Sequence, residues 1–212
     1  MTDVWSQRRD AYVESDAHRE GADLDRLVEW AAGARTALDV ATGGGHVARR
    51  LREAGLEVVT TDAAPGMKPD VVCPAEHLPF ADGSFDLVAC RTAAHHFADV
   101  RGAVREMARV ARDGVLLVDT VHMGDEVEQA EKLRDPSHVR NYTDAEWREI
   151  VLAAGLTLHD VGFYPHTFDL EAWLARTGCV GEEAKRVVEL LGDRVSGRRL
   201  TLDKIAIRAV KP

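Results

Sequence analysis

The stretch "ALDVATGGGHVARRLREAGLEVVTTDAAPG", Ala37 to Gly66, constrains the chain more than any other. A short apolar run ends in an acid, three glycines follow, a helical pattern comes next, and a second apolar run ends in Asp62. The same alternation of strand and helix patterns continues to about Gly155 without an internal repeat. It implies an α/β chain with a parallel sheet and helices on both faces. Strands are expected over Ala37–Ala41, Glu57–Thr61, Asp70–Cys73, Phe85–Cys90, Gly114–Thr120, Thr157–Phe163 and Leu202–Val210. Helices are expected over Leu24–Ala32, Val47–Ala54, Val100–Ala111, Asp144–Ala154, Leu170–Thr177 and Glu182–Leu191, where apolar residues recur at three and four. The last two helices form an insertion between the final strands. With 212 residues, 45% of them hydrophobic and 30% charged, the chain is long enough for one sizeable core, so a single domain over 1–212 is expected.

Composition narrows the function classes. A net charge of -9, with Lys and Arg alternating with acids, argues against a nucleic-acid surface, because phosphate binding needs clustered cations. There is no signal-peptide pattern and no apolar run of membrane-spanning length, so a cytoplasmic protein without a membrane partner, monomer or homodimer, is expected. Cys73, Cys90 and Cys179 are odd in number and lack CxxC spacing, which suggests buried reduced thiols rather than disulfides or zinc. His95, His96, Asp119 and His122 also lack ligand spacing, and no metal is expected. A small-molecule ligand remains.

In an open sheet the ligand lies beyond the carboxyl ends of the strands, where the strand order reverses. There the glycines of "DVATGGGHVA" let the backbone turn tightly and approach a ligand, and the next helix offers its positive end. Asp62 is placed to accept hydrogen bonds from the vicinal hydroxyls of a ribose, so a nucleoside is indicated. Gly43, Gly45 and Ala48 also satisfy G-x-G-x-x-A, the dinucleotide fingerprint, with Asp62 at roughly the distance expected for NAD. The glycines alone do not choose.

"DVATGGG", followed by "VVTTDAAPG" and by "AEHLPFADGSFDLVACRTAAHHFAD", resembles the class I S-adenosylmethionine-dependent methyltransferases, in the type 11 domain group that includes quinone C-methylating enzymes. The resemblance runs from about Tyr12 to Gly155, and "LPFADGSFDLV" and "HHF" are more specific than the glycine loop. It implies a Rossmann-like fold with seven strands in the order 3-2-1-4-5-7-6, the seventh antiparallel, and "LTLDKIAIRAV" suits that strand. It also implies an enzyme that uses S-adenosyl-L-methionine, releases S-adenosyl-L-homocysteine, and methylates a small organic acceptor at oxygen, carbon or nitrogen. A NAD-binding oxidoreductase is disfavoured by "LPFADGSFDLV" and by the lack of room for a catalytic domain. A non-catalytic nucleoside-binding protein is disfavoured by the intact set of Asp39, glycines and Asp62.

The resemblance implies roles position by position. Asp39 would help hold the methionyl amino group, and the backbone of Ala41, Thr42, Gly43, Gly44 and Gly45 would wrap the methionine part. Asp62, with Ala63 beside it, would bind the ribose. Ala75, Glu76 and His77 would line the adenine, and Arg91 would sit near the methionyl end. Two departures stand out. Relatives commonly read Asp-Ala-Glu where this chain has Pro74-Ala75-Glu76, and only "AAPGMKP" separates Asp62 from Asp70. The adenine side is therefore either more open than usual or covered by a neighbouring element.

Methyl transfer is an in-line displacement, so the enzyme mainly aligns the reactants and excludes water. A base is needed only where the acceptor must lose a proton, and His95 and His96 after the fourth strand are the candidates for it. Acceptor contacts are expected from His122, from Arg140 and Tyr142 in segment 121–143, and from Tyr164 and His166 in segment 164–198. Phe168 and Trp173, at helical spacing, suit the core as well as a substrate pocket. The amphipathic residues 1–23 are expected either to close over the donor site through Tyr12 or His18 or to form a mobile terminus.

Overall fold

The computed structural model describes residues 4–212; the first three residues of segment 1–23 lie outside the described residues. Strands β1 (Thr36–Val40), β2 (Glu57–Asp62), β3 (Val71–Val72), β4 (Phe85–Arg91) and β5 (Ala111–Thr120) pair in parallel. Beyond them lie β6 (Thr157–Asp169), the short β7 (Val195–Ser196) and β8 (Arg199–Val210). The sheet order is β3-β2-β1-β4-β5-β8-β6, with β7 paired to β8, and β8 runs antiparallel to both β5 and β6. With β8 in the place of the expected seventh strand, this is the order implied by the resemblance. The chain moves outward from β1 through β2 to β3 and then returns to the other side of β1 with β4, so the strand order reverses between β1 and β4.

The period-2 alternation of the strands builds a core on each face. Leu38, Val40, Val88, Cys90, Val115 and Leu117 face one cluster with Val104 and Met107 of α6 (Val100–Val110) and Trp147 and Ile150 of α8 (Asp144–Ala153). Ala37, Leu87, Ala89, Leu116 and Val118 face the other, with Leu24 and Leu27 of α4 (Ala22–Trp30) and Val47 and Leu51 of α5 (His46–Glu53). Thr143 starts α8 with a reciprocal capping box to Glu146, as "TDAE" suggests. A third cluster lies under α7 (Asp125–Arg134), α9 (Leu170–Ala175) and α10 (Gly181–Leu191), and holds Val127, Leu170, Trp173 and Leu200. Trp173 is thus a core residue, with Phe168 packed against it.

Three features depart from the expected elements. β6 runs on to Asp169 and β8 begins at Arg199, because their pairing continues from Phe163↔Ile205 to Asp169↔Arg199. Helix α7 was not anticipated. Its buried stripe is Val127, Ala130, Glu131 and Arg134, the i, i+3, i+4, i+7 positions of an amphipathic helix, but half of that stripe is charged. Three short N-terminal helices, α1 (Val4–Gln7), α2 (Arg9–Val13) and α3 (Asp16–Arg19), precede α4. None of the three cysteines is disulfide-bonded. No described helix is long and apolar enough to cross a membrane.

Candidate active site

The loop after β1 turns through two glycines in the left-handed region, Gly43 (φ 52°) and Gly45 (φ 76°), and Gly45 caps α5. Ala41 also has a positive φ of 55°, and Thr92, after β4, has 56°. These two residues flank the strand-order reversal and line the same cleft. Such backbone strain persists only where the surroundings enforce it, and it is concentrated at functional sites. Two acids, the buried Asp39 and the half-buried Asp62, fix the loop. Asp39 Oδ2 accepts from Thr42 Oγ1 at 2.6 Å and from Ala48 N at 3.1 Å, tying loop to helix. Asp62 Oδ2 accepts from Gly43 N at 3.0 Å and its Oδ1 from Ala64 N at 2.9 Å, tying the loop to the end of β2.

The cleft beyond these strand ends has a volume of about 220 Å³. Of the expected donor-site residues, Ala41, Thr42, Gly43, Gly44, Asp62, Ala63, Ala75, Glu76 and Arg91 line it. Asp39 lies beneath the loop, 2% exposed. Gly45 and His77 do not line it: Gly45 is taken up by the helix cap, and His77 lines a separate groove beside Asp99 and Glu106. The Arg91 guanidinium turns away to the N-terminal segment. There its Nε donates to Asp23 at 2.6 Å, Nη1 to His18 O at 2.8 Å and Nη2 to Glu20 O at 3.4 Å.

That segment supplies residues the motif could not indicate. Trp5, Tyr12 and His18 line the cleft. The segment is fastened by Ser6 Oγ accepting from Gly66 N at 2.7 Å, by His46 Nε2 donating to Tyr12 O at 2.9 Å, and by Arg8 pairing with Asp135 at 3.2 Å. The shortened connection after β2 is therefore covered, by α1 seated on the Pro65–Met67 turn. Gly44 is required by this contact, since a Cβ there would meet Tyr12 O at 2.8 Å.

A second, smaller cavity of about 50 Å³ adjoins the first and shares Tyr12, His18, Thr92 and His96 with it. It extends past His95, Glu131, Arg134, His166, Trp173, Arg176 and Lys204. Of the five residues expected to contact the acceptor, only His166 lines it. Tyr142 is 9% exposed and packs edge-on against Trp147 in the core. Arg140 lies over the Tyr142 ring and pairs with Glu146. Tyr164 packs on the cluster beneath α4. His122 faces Glu128 and Asp125 at 3.8 and 3.9 Å. These aromatic and basic side chains found partners within the fold, which their loop positions did not reveal.

The histidine pair is split by its partners. Asp119 accepts from His95 Nδ1 at 2.6 Å, from His95 N at 2.9 Å and from Thr120 N at 2.8 Å. Burial lowers the His95 pKa, but the charge and hydrogen bond of Asp119 outweigh it and raise the pKa above the ordinary value. His96 Nδ1 lies 3.0 Å from Ser137 O, so it is the protonated nitrogen and Nε2 carries the lone pair. Burial and the neighbouring His95 push the His96 pKa well below the ordinary value. Glu128, Glu131 and His138 bring ligand-type atoms within 4.8 Å of one another. Lys132 and the Asn141 amide already occupy Glu128, and the Asn141 side chain holds Glu131, so the group reads as an ion-pair network.

Comparisons with known proteins agree with this geometry. A family model described as a methyltransferase domain matches residues 38–118. The uncharacterized methyltransferase YcgJ of Bacillus subtilis is 33% identical over 208 residues, covering 87% of this chain and 82% of that protein. Its crystal structure aligns with a TM-score of 0.80 at 29% identity, over 89% of this chain and 97% of that one. A Bacillus halodurans crystal structure solved as a candidate methyltransferase gives a TM-score of 0.78 at 30% identity, over 91% of this chain and 100% of that one. Demethylmenaquinone methyltransferase of Renibacterium salmoninarum is 38% identical over 106 residues, 44% of this chain and 45% of that enzyme. With the reversed strand order, the glycine turn and the acid ending β2, these matches show that the chain belongs to the class I S-adenosylmethionine-dependent methyltransferases.

Proposed function

We propose that this protein binds S-adenosylmethionine in the larger cleft and methylates a small organic acceptor that reaches from the shared wall into the adjoining cavity. The observation that carries this reading is the shared wall of Tyr12, His18, Thr92 and His96, across which a donor and an acceptor would meet. The cleft suits the donor. A Cβ at Gly43 would point into open space, an acid ends β2, and the buried Thr92 hydroxyl has no hydrogen-bond partner among the described residues. A polar ligand would satisfy that hydroxyl.

When bound, the sulfonium supplies a methyl group activated for in-line displacement. Asp62 would accept from the ribose hydroxyls, the Ala41–Gly45 backbone would wrap the amino-acid part with Asp39 beneath it, and Ala75 and Glu76 would flank the adenine. Trp5, Met67 and Phe97 are the large apolar side chains that would keep water out of the cleft. Base catalysis by the histidines is not supported. An imidazole whose pKa is held well below its ordinary value is a weak base near neutral pH, and His95 beside Asp119 favours the form that already carries both protons. Alignment and exclusion of water are the main contributions of this chain.

Calorimetric titration tests the donor assignment. S-Adenosylmethionine and S-adenosylhomocysteine should both bind, with NAD silent; NAD binding without a response to the sulfonium compound would overturn the proposal in favour of a dinucleotide enzyme.

The buried acid gives a pH test. Burial pushes the Asp39 carboxyl up to about 6; the hydrogen bonds from Thr42 and Ala48 oppose this and Asp62 adds to it. Only the ionised form holds an ammonium group strongly. Donor affinity should therefore fall as the pH drops through about 6, by up to about tenfold per pH unit. In Asp39→Asn that dependence should vanish. A wild-type affinity that stays level from about pH 7.5 to about pH 5 would remove Asp39 from donor binding.

A further inference from the structure

The smaller cavity carries a charge pattern at odds with the acidic chain around it. Its lining holds three basic side chains, Arg134, Arg176 and Lys204, against one acid, Glu131. Lys204 is committed to Asp23 at 3.3 Å, and Glu131 to the Asn141 side chain. Arg134 is 9% exposed, with Nη1 donating to Trp173 O and Nη2 lying 3.6 Å from Asp135, but its buried Nε has no hydrogen-bond partner among the described residues. The Arg176 guanidinium lies 5.7 Å from the Tyr12 ring centroid, and no hydrogen bond or ion pair engages it among the described residues. Burial, opposed by the charges of Arg134, Arg176 and Arg8, raises the Tyr12 pKa, so the phenol stays neutral and does not serve as the counter-charge.

A half-buried guanidinium without a carboxylate, beside a buried Arg134 Nε without an acceptor, is costly unless a ligand supplies the anion. We propose that the smaller cavity is an anion subsite, in which Arg134 and Arg176 hold the carboxylate of a small aromatic acceptor. The shape of the lining favours this class. Arg176 presents a forked donor set suited to a carboxylate, Arg134 adds its buried Nε, and Phe168 and Trp173 border the carboxylate end with aromatic surface. A single guanidinium left without a counter-charge matches a monoanion better than a phosphate dianion. With the carboxylate at this end, the opposite end of the acceptor faces the wall shared with the donor cleft. Arg176 is then a specificity-determining residue for the acceptor.

This assignment rests on the methyl-transfer reading of the two cavities, and the test separates the two. S-Adenosylhomocysteine is first titrated into each protein; a wild type that fails to bind it would overturn the methyl-transfer reading itself. The saturated protein is then titrated with benzoate, 4-hydroxybenzoate, cinnamate and indole-3-acetate, with the primary amide of each, and with inorganic phosphate. At least one acid should bind about tenfold or more tightly than its amide, as expected for a charge-assisted pair, and phosphate should bind more weakly than that acid. Arg176→Met should remove the preference and Arg176→Lys should keep part of it, with S-adenosylhomocysteine still bound by both. Acids that never outbind their amides, phosphate that outbinds every acid, or an Arg176→Met protein that keeps the preference would each overturn the subsite.

Discussion

Replacing Asp23 by Ala is expected to destabilise the folded protein by about 3–5 kcal/mol, the cost of breaking a buried ion pair from one side. Asp23 is 1% exposed, and it takes Arg91 Nε at 2.6 Å and Lys204 Nζ at 3.3 Å on the same oxygen. Both cations are themselves almost fully buried, with side chains 2% and 5% exposed. Without Asp23 they would lose their shared counter-charge, and Arg91 would lose the anchor from which it also holds the carbonyls of His18 and Glu20. For a chain of this length the loss corresponds to a Tm drop of roughly 6–20 °C. The pH dependence has a definite sign. Burial raises the Asp23 pKa, but Lys204 and Arg91 outweigh it and hold the carboxyl well below the usual range. Its stabilisation is therefore present above the unfolded value of about 3.9 and is lost as the pH falls through the folded value. Wild type and variant should differ in urea unfolding at neutral pH and converge in acid. A neutral-pH difference below about 1 kcal/mol would mean that the triad contributes no more than a surface pair.

That triad also marks where reading the sequence stops. Asp23 is 68 positions from Arg91 and 181 from Lys204, and no local spacing relates them. The parallel sheet and most helices were legible because apolar periodicity is local: Leu38, Val40, Val88 and Cys90 alternate along their strands with Ala37, Leu87 and Ala89. The glycine loop was legible because backbone angles of +52° and +76° at Gly43 and Gly45 favour glycine. Helix α7 escaped because Glu131 and Arg134 stand where apolar residues would have signalled a buried face. Those two side chains, with Arg176 three positions after the buried Trp173, line the smaller cavity. A charged residue at a stripe position was the available signal. Tyr142 and Tyr164 show the opposite error, since an aromatic beyond a strand end looks like a ligand contact until its core partners are known.

Gly43→Val should abolish donor binding, a loss of about 100-fold or more, while leaving the fold intact. Three adjacent glycines stand in this loop for three different reasons, and the structure separates them. A Cβ at Gly43 would meet no atom within 4 Å and the residue lines the large cleft, so the added isopropyl group would occupy space meant for the ligand. A β-branched residue at φ 52° is also strongly disfavoured, and the backbone would shift to relieve it. Because Gly43 N donates to Asp62 at 3.0 Å, that shift would disturb the carboxylate proposed to hold the ribose. Gly44→Ala should behave differently: its Cβ would strike Tyr12 O at 2.8 Å and His46 Nε2 at 2.9 Å, loosening the N-terminal segment. Gly45 lies outside the cleft lining and caps α5 at φ 76°, so Gly45→Ala should cost about 1–2 kcal/mol of stability through backbone strain alone. Circular dichroism, thermal unfolding and S-adenosylhomocysteine titration on the three variants would distinguish these outcomes. A Gly43→Val protein with wild-type affinity and an unchanged spectrum would show that the loop is not the cradle, whatever the family resemblance of its sequence.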